Sequence, residues 1–240
     1  MYNLLWKQVI LFCLIFFTVN SLSAQREQYR SEHDNLSYYF GATLGYNIGS
    51  LSAQKSDKFL MDDSVLVAEP ASSGGISIGI HATAKISKHW QARFNPQIIL
   101  GGARYFTYTL NSKYSTNEPI EQRFTLPTTL VSFPFSFKFN SDRIDNFRTY
   151  LLLGVKADVD LSAGSAARNQ EGYIKLKKYC YGVEAGIGFN LFLRFFTLTP
   201  ELKISYGLNN ILDRNPDLKY SSVFNSIQSR MIMFSLHFED

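Results

Sequence analysis

From Ser37 to Ile48 the chain keeps a two-residue beat. Tyr38, Phe40, Ala42, Leu44, Tyr46 and Ile48 alternate with Ser37, Tyr39, Gly41, Thr43, Gly45 and Asn47. Successive side chains of a strand point to opposite faces, so one face here is bulky and apolar and the other small or polar. The beat returns over 74–86, 90–110, about 124–140, 148–161, 179–191, 196–209 and 229–238. Ile76, Ile78 and Ile80 oppose Ser77, Gly79 and His81; Phe133, Phe135, Phe137 and Phe139 oppose Pro134, Ser136 and Lys138. No segment after residue 36 carries a helical period that would cover the apolar face. A sheet of about eight such strands is stable when it closes on itself with its apolar face on lipid.

The connections point the same way. Leu51–Ser73, Asn111–Arg123, Ser162–Lys178 and Asn210–Gln228 are long, whereas Ser87–His89, Ser141–Phe147 and Phe192–Phe195 are short. Long and short alternate along the chain, as in outer-membrane barrels with long extracellular loops and short periplasmic turns. The predicted fold is therefore all-β, a transmembrane antiparallel up-and-down barrel of about eight strands over residues 37–240. An even strand count puts both termini on the periplasmic side. Pro96, Pro127, Pro134 and Pro200 fall in or beside strands, and local kinks are expected there because proline cannot donate to a ladder. The runner-up is a soluble barrel or sandwich with the apolar face inward.

Composition sharpens the picture in three places. Hydrophobic content is 45% over 240 residues, yet mean hydropathy is only −0.09, which excludes a bundle of membrane helices. The one long apolar run, Val9–Val19, follows Lys7 and precedes Ser21-Leu22-Ser23-Ala24. It reads as a signal peptide cleaved after Ala24, being too short to span a bilayer. Residues 25–36 then form a flexible periplasmic lead-in. Cys13 sits inside that run after Phe12, away from a lipidation position, and its removal leaves Cys180 without a disulfide partner. The net charge of +4 is spread along the chain, and gives no case for nucleic acid.

Lys85, Arg93, Lys138, Lys156, Asp158, Asp160, Glu184, Glu201 and Lys203 fall on the polar face. Enclosed in a narrow barrel, charges of both signs form a structural network of ion pairs that plugs the lumen, because an unpaired buried charge is costly. His81 and His237 share that face, and a lipid-modifying enzyme would need such histidines with Ser77 and an acid at the rim. Packed lumen histidines are the plainer reading. No metal-ligand cluster, phosphate loop or G-x-S-x-G nucleophile motif is expected, so no cofactor and no enzyme activity are expected. The short turn carrying Arg143, Asp145, Asn146 and Arg148 is the candidate partner contact at the periplasmic mouth.

Phe133-Pro134-Phe135-Ser136-Phe137-Lys138, followed by Arg143, Asn146, Phe147-Arg148-Thr149-Tyr150 and Gly154, resembles the central motif of the PorT family. Glu184-Ala185-Gly186-Ile187-Gly188 and Pro200-Glu201-Leu202-Lys203-Ile204-Ser205-Tyr206-Gly207-Leu208 resemble its later part. Phe40-Gly41-Ala42-Thr43-Leu44-Gly45, Gly79 and Arg93-Phe94-Asn95-Pro96 fit as well, although Ser73-Gly74-Gly75 stands where that family carries a proline. The resemblance implies an outer-membrane accessory or assembly component of type IX secretion, which exports cargo with C-terminal sorting domains and delivers adhesins in gliding species. Its implied partners are other secretion components, alongside outer-membrane lipids and lipopolysaccharide. The alternative is a generic small barrel whose extracellular loops bind ligands.

Overall fold

The computed structural model describes residues 27–56, 65–101, 104–110, 121–126, 128–163, 175–213 and 224–240. The expected signal peptide lies outside them, as do Pro127 and most of the connection 111–123. A 3-10 turn, Ser31–Asn35, precedes the strands. In chain order these are β1 (Tyr38–Lys55), β2 (Val65–Ala71), β3 (Ser73–Lys85), β4 (Trp90–Phe94) and β5 (Gln97–Gly101). There follow β6 (Arg104–Leu110), β7 (Glu121–Leu126), β8 (Thr129–Asn140), β9 (Phe147–Asp160) and β10 (Lys175–Leu176). The last are β11 (Tyr179–Phe192), β12 (Thr197–Gly207), β13 (Leu212–Asp213) and β14 (Phe224–Glu239).

The main sheet runs β1-β14-β12-β11-β9-β8-β4-β3, and β3 pairs back onto β1. β5 continues β4 and also bridges β3 and β8, so the ring has about eight strands, all antiparallel. The closing seam is long and regular from Gly41↔Glu239 to Gln54↔Ser226. A ring has no free edge, which satisfies every strand inside a bilayer.

Burial decides which face is which. Ile80 and Leu153 are each 67% exposed, whereas Arg93 is 1% and Lys138 0% exposed. The bulky apolar side chains look outward and the charged ones are enclosed, the reverse of a soluble barrel. Trp90 and Phe139 pair at 5.0 Å on the outside near the short turns, and Phe147 stacks on Phe189 at 5.6 Å. Aromatic pairs at that level suit a membrane-interface girdle.

Four details differ from the sequence pattern. The third expected strand is three pieces. Pro96 breaks it between β4 and β5, and Gly101, at φ +79°, ends β5. Register is kept across the Pro96 gap, because Asn95 N–H donates to the Pro134 carbonyl and the Pro96 carbonyl accepts from Ile80 N–H, both at 3.1 Å. Pro134 and Pro200 stay inside β8 and β12, so the strand itself is broken at Pro96 alone among these three, although the β11–β12 ladder skips the pairs at Pro200 and Thr199. The polar connection 51–73 contains β2, which joins β6 and β7 in a small sheet beyond the ring. Finally, β14 starts at Phe224 and reaches Glu239, five residues earlier and one later than the alternation indicated.

Candidate functional site

The lumen is filled in layers. At its centre Arg93, from β4, donates Nη1 to Glu201 Oε2 at 2.9 Å and Nη2 to Glu239 Oε1 at 2.7 Å. Tyr150 on β9 donates its hydroxyl to Glu201 Oε2 at 2.6 Å. Lys138 lies 4.0 Å from the Tyr150 ring centroid and 3.9 Å from Glu239 Oε1. Two cations and two carboxylates are thus gathered where water does not reach, and mutual neutralisation makes that burial tolerable. Inward glycines give the layer its room. A Cβ on Gly188 would meet the Tyr150 ring at 2.3 Å, and one on Gly41 would meet the His81 ring at 2.5 Å.

Next to the ion pairs, Thr43 Oγ1 lies 3.2 Å from His81 Nδ1 and 2.9 Å from His237 Nδ1. The other ring nitrogens face Glu239 and Glu201, each at 3.5 Å. The order hydroxyl–imidazole–carboxylate has the outline of a hydrolytic relay. His81 is 2% and His237 0% exposed, and Thr43 is 2% exposed, so the three groups are enclosed in the wall. The chain is not free of the G-x-S-x-G pattern as expected, because Gly75-Ile76-Ser77-Ile78-Gly79 spells it. It lies flat in β3 instead of on a strand-to-helix elbow, with Ser77 Oγ directed at Met233 Sδ, 3.9 Å away. Among the described residues no group of His, Cys, Asp and Glu is placed to hold a metal ion.

Toward the long connections come the pairs Lys203–Glu184 at 3.2 Å and Lys156–Asp158 at 2.7 Å. Ser132 Oγ also donates to Asp158. Ile99, Leu130, Met231 and Met233 form one apolar cluster on the inner face. A larger one, including Leu51, Phe106, Tyr108, Phe224 and Ile227, covers that end. The Cys180 thiol is buried in it.

The opposite mouth holds what the sequence did not show. Residues 27–36, expected as a flexible lead-in, fold back across it. Asp34 receives Arg143 Nη1 at 3.0 Å and Arg148 Nη2 at 2.6 Å, and Lys85 Nζ donates to its carbonyl. Asn146 accepts Tyr29 N–H at 2.8 Å and donates to the Glu27 carbonyl at 2.9 Å, while Arg143 also binds the Tyr29 carbonyl. The Arg143 guanidinium lies 3.7 Å over the Phe192 ring. Asp145 is exposed at φ 52° and shapes the turn, its carbonyl accepting Arg143 Nε at 2.7 Å. Three of the four turn residues selected for partner contact therefore hold the chain's own N-terminal segment.

His33 is the centre of that latch. It sits 4.5 Å from the Tyr39 ring and 5.7 Å from Phe192. Burial pushes its pKa from 6.5 down to about 4, with Glu239 and Asp34 opposing and Arg30 and Lys138 assisting. The docked state holds neutral imidazole, so docking is strongest above about pH 6.5 and weakens as pH falls toward 4. Amide exchange of residues 31–36 is expected to be slow at pH 7.5. At pH 4.5 their protection relative to the intrinsic rate should fall, with His33→Phe flattening the difference. Asp34→Asn removes the carboxylate charge from both arginines. It should expose the Arg30 peptide bond to trypsin at pH 7.5, where the unaltered protein resists.

An edge-free antiparallel ring with an apolar exterior and an ion-paired, closed interior defines a membrane-spanning β-barrel. The chain belongs to the outer membrane protein beta-barrel domain family, whose model matches residues 24–213. Its place is the outer membrane. Comparison with curated proteins gave no significant match. Among solved structures, it is similar to Neisserial surface protein A, at 11% identity and TM-score 0.41, covering 83% of this chain and 96% of that one. It is also similar to OprG from Pseudomonas aeruginosa, at 12% identity and TM-score 0.40, covering 83% and 96%. Ail, the attachment invasion locus protein of Yersinia pestis, follows at 9% identity and TM-score 0.39, covering 85% and 100%. These likenesses concern the fold alone.

Proposed function

We propose that this barrel is neither a pore nor an enzyme and acts through its ends. Its long connections face the exterior and bind ligands or surfaces, and both termini are periplasmic. The observation that carries this reading is the central layer, where Arg93, Lys138, Glu201 and Glu239 are all at most 2% exposed. A lumen with that layer in place passes neither ions nor solutes. Reconstituted in a planar bilayer, the mature chain should show no step conductance between pH 5 and 8, and deleting residues 27–36 should leave it closed. Steady channels in the unaltered protein would refute the reading. Deleting 57–72 and 111–120, which spares β1, β3 and the seam, should abolish surface binding while leaving the folded barrel in the membrane.

A second reading follows from the PorT resemblance, in which the barrel assists type IX secretion from its periplasmic mouth. It is favoured by where the resembling residues fall. Pro134, Lys138, Arg143, Asn146, Arg148, Glu184, Glu201 and Lys203 build the wall, the lumen layers and the latch, so the shared residues specify one interior and one mouth. On this reading a loop-deleted chain restores export of cargo with a C-terminal sorting domain to a deletion strain. Arg143→Ala with Arg148→Ala does not. Export that is intact without the gene would remove the second reading and leave the first.

A further inference from the structure

Five neighbouring strands share one outward row, Leu153, Ala185, Ile204, Ile232 and Ile48, in register. Ala185 is the small member, and the row floors a groove of about 620 Å³ on the outer wall. That volume falls within the roughly 300–1,000 Å³ of small-molecule sites. Val183 and Tyr206 border it, and Arg230 stands at its rim toward the long connections. Past Ile48 and Ile232 the outward positions on β1 and β14 become Ser50, Ser52, Gln54, Arg230 and Gln228. Arg230 therefore marks the upper edge of the apolar band on these two strands.

The guanidinium is held in place there. Nη2 donates to Tyr206 Oη at 3.0 Å, the guanidinium lies 4.8 Å from the ring centroid, and Tyr206 Oη donates to Gln228 Oε1 at 3.1 Å. Among the described residues no carboxylate lies within ion-pair distance of Arg230. A guanidinium has five donors in a planar fork that suits a phosphate. An oriented cation above a hydrocarbon-lined groove, at the height where headgroups begin, complements a phosphorylated lipid.

The geometry points to a binding site for one lipid A molecule of the outer leaflet, with a phosphate on Arg230 and an acyl chain in the groove floored by Ala185. The leaflet assignment rests on the orientation proposed above, with the long connections outside.

Native mass spectrometry of the detergent-solubilised mature chain tests the site, with folding checked by heat-modifiable gel mobility. Three probes are compared: lipid A, phosphate-free lipid A and phosphatidylglycerol. The protein should retain one lipid A in preference to both others, and Arg230→Gln should lower that retention about fivefold, as for the loss of one interfacial cation. Ala185→Trp fills the groove on the outer face, and should lower retention of lipid A and its phosphate-free form together. Equal retention by the unaltered protein and Arg230→Gln would overturn the site, as would phosphatidylglycerol displacing lipid A at equal concentration. Proteolysis of intact cells reports orientation separately. A connection 51–73 protected from external protease would overturn the lipid A assignment, even with the phosphate dependence at Arg230 preserved.

Discussion

Replacing Arg93 by methionine should lower the unfolding free energy by about 3–5 kcal/mol, the loss typical when one partner of a buried charge set is removed. Arg93 alone bridges Glu201 and Glu239, and Lys138 touches only one of them, at 3.9 Å. Without the guanidinium, two carboxylates remain in a dry lumen, and Lys138 is in reach of Glu239 alone. Either they take up protons or the strands separate to admit water. Adding Glu201→Gln and Glu239→Gln to Arg93→Met should recover much of the loss, because no uncompensated charge then remains. Urea unfolding of the lipid-reconstituted protein, followed by heat-modifiable gel mobility, measures both variants. A loss under about 1 kcal/mol for Arg93→Met would match a solvated pair and would mean that the lumen is wet. The non-conducting function would then fall with it.

Gly188→Val is the second large effect. Its Cβ would overlap the Tyr150 ring and hydroxyl at 2.3 Å, and Tyr150 has no room to retreat, with Lys138 on its face and Glu201 on its hydroxyl. Overpacking of this kind costs about 1–3 kcal/mol, and the lost hydrogen bond to a charged acceptor adds about 1.5–3 kcal/mol. Tyr150→Phe should show only the second part. Combining Gly188→Val with Tyr150→Ala should be less damaging than Gly188→Val by itself, because the added volume then enters the space left by the ring. If the two changes were simply additive, Gly188 would not be the residue that makes space for Tyr150.

Much of this barrel was readable from alternation. Strand faces follow a strict period of two, so residues such as Lys138 between Phe137 and Phe139 declare their side without any knowledge of partners. Arg93, Lys138, Lys156, Asp158, Glu184, Glu201 and Lys203 are buried on the inner face, whereas Lys85, read from the same alternation, lies at the mouth on the Asp34 carbonyl. Glu239 was missed because the beat was followed only to Phe238, although it continues through Glu239. Tyr150 was missed because a tyrosine beside Leu151 gives no sign that its ring faces charge. The latch could not be read at all. Ser31–Asn35 has no period, and what orders it is the meeting of Asp34 with two arginines more than a hundred positions away. Pro134 and Pro200 showed the limit of a propensity rule, since a strand tolerates proline when the neighbouring carbonyl finds another donor or the gap is local.

The placement of Glu239 sets an order of events during biogenesis. Glu239, which neutralises the centre of the molecule, lies on β14, the strand that zips against β1. Until that final strand enters the wall, Arg93 and Lys138 have only Glu201 nearby, and an incomplete barrel carries surplus positive charge into hydrocarbon. Insertion and electrical neutrality are thereby completed in one step. A wall without that strand would leave Arg93 and Lys138 short of one carboxylate, so closure of the ring and closure of the charge balance depend on the same strand.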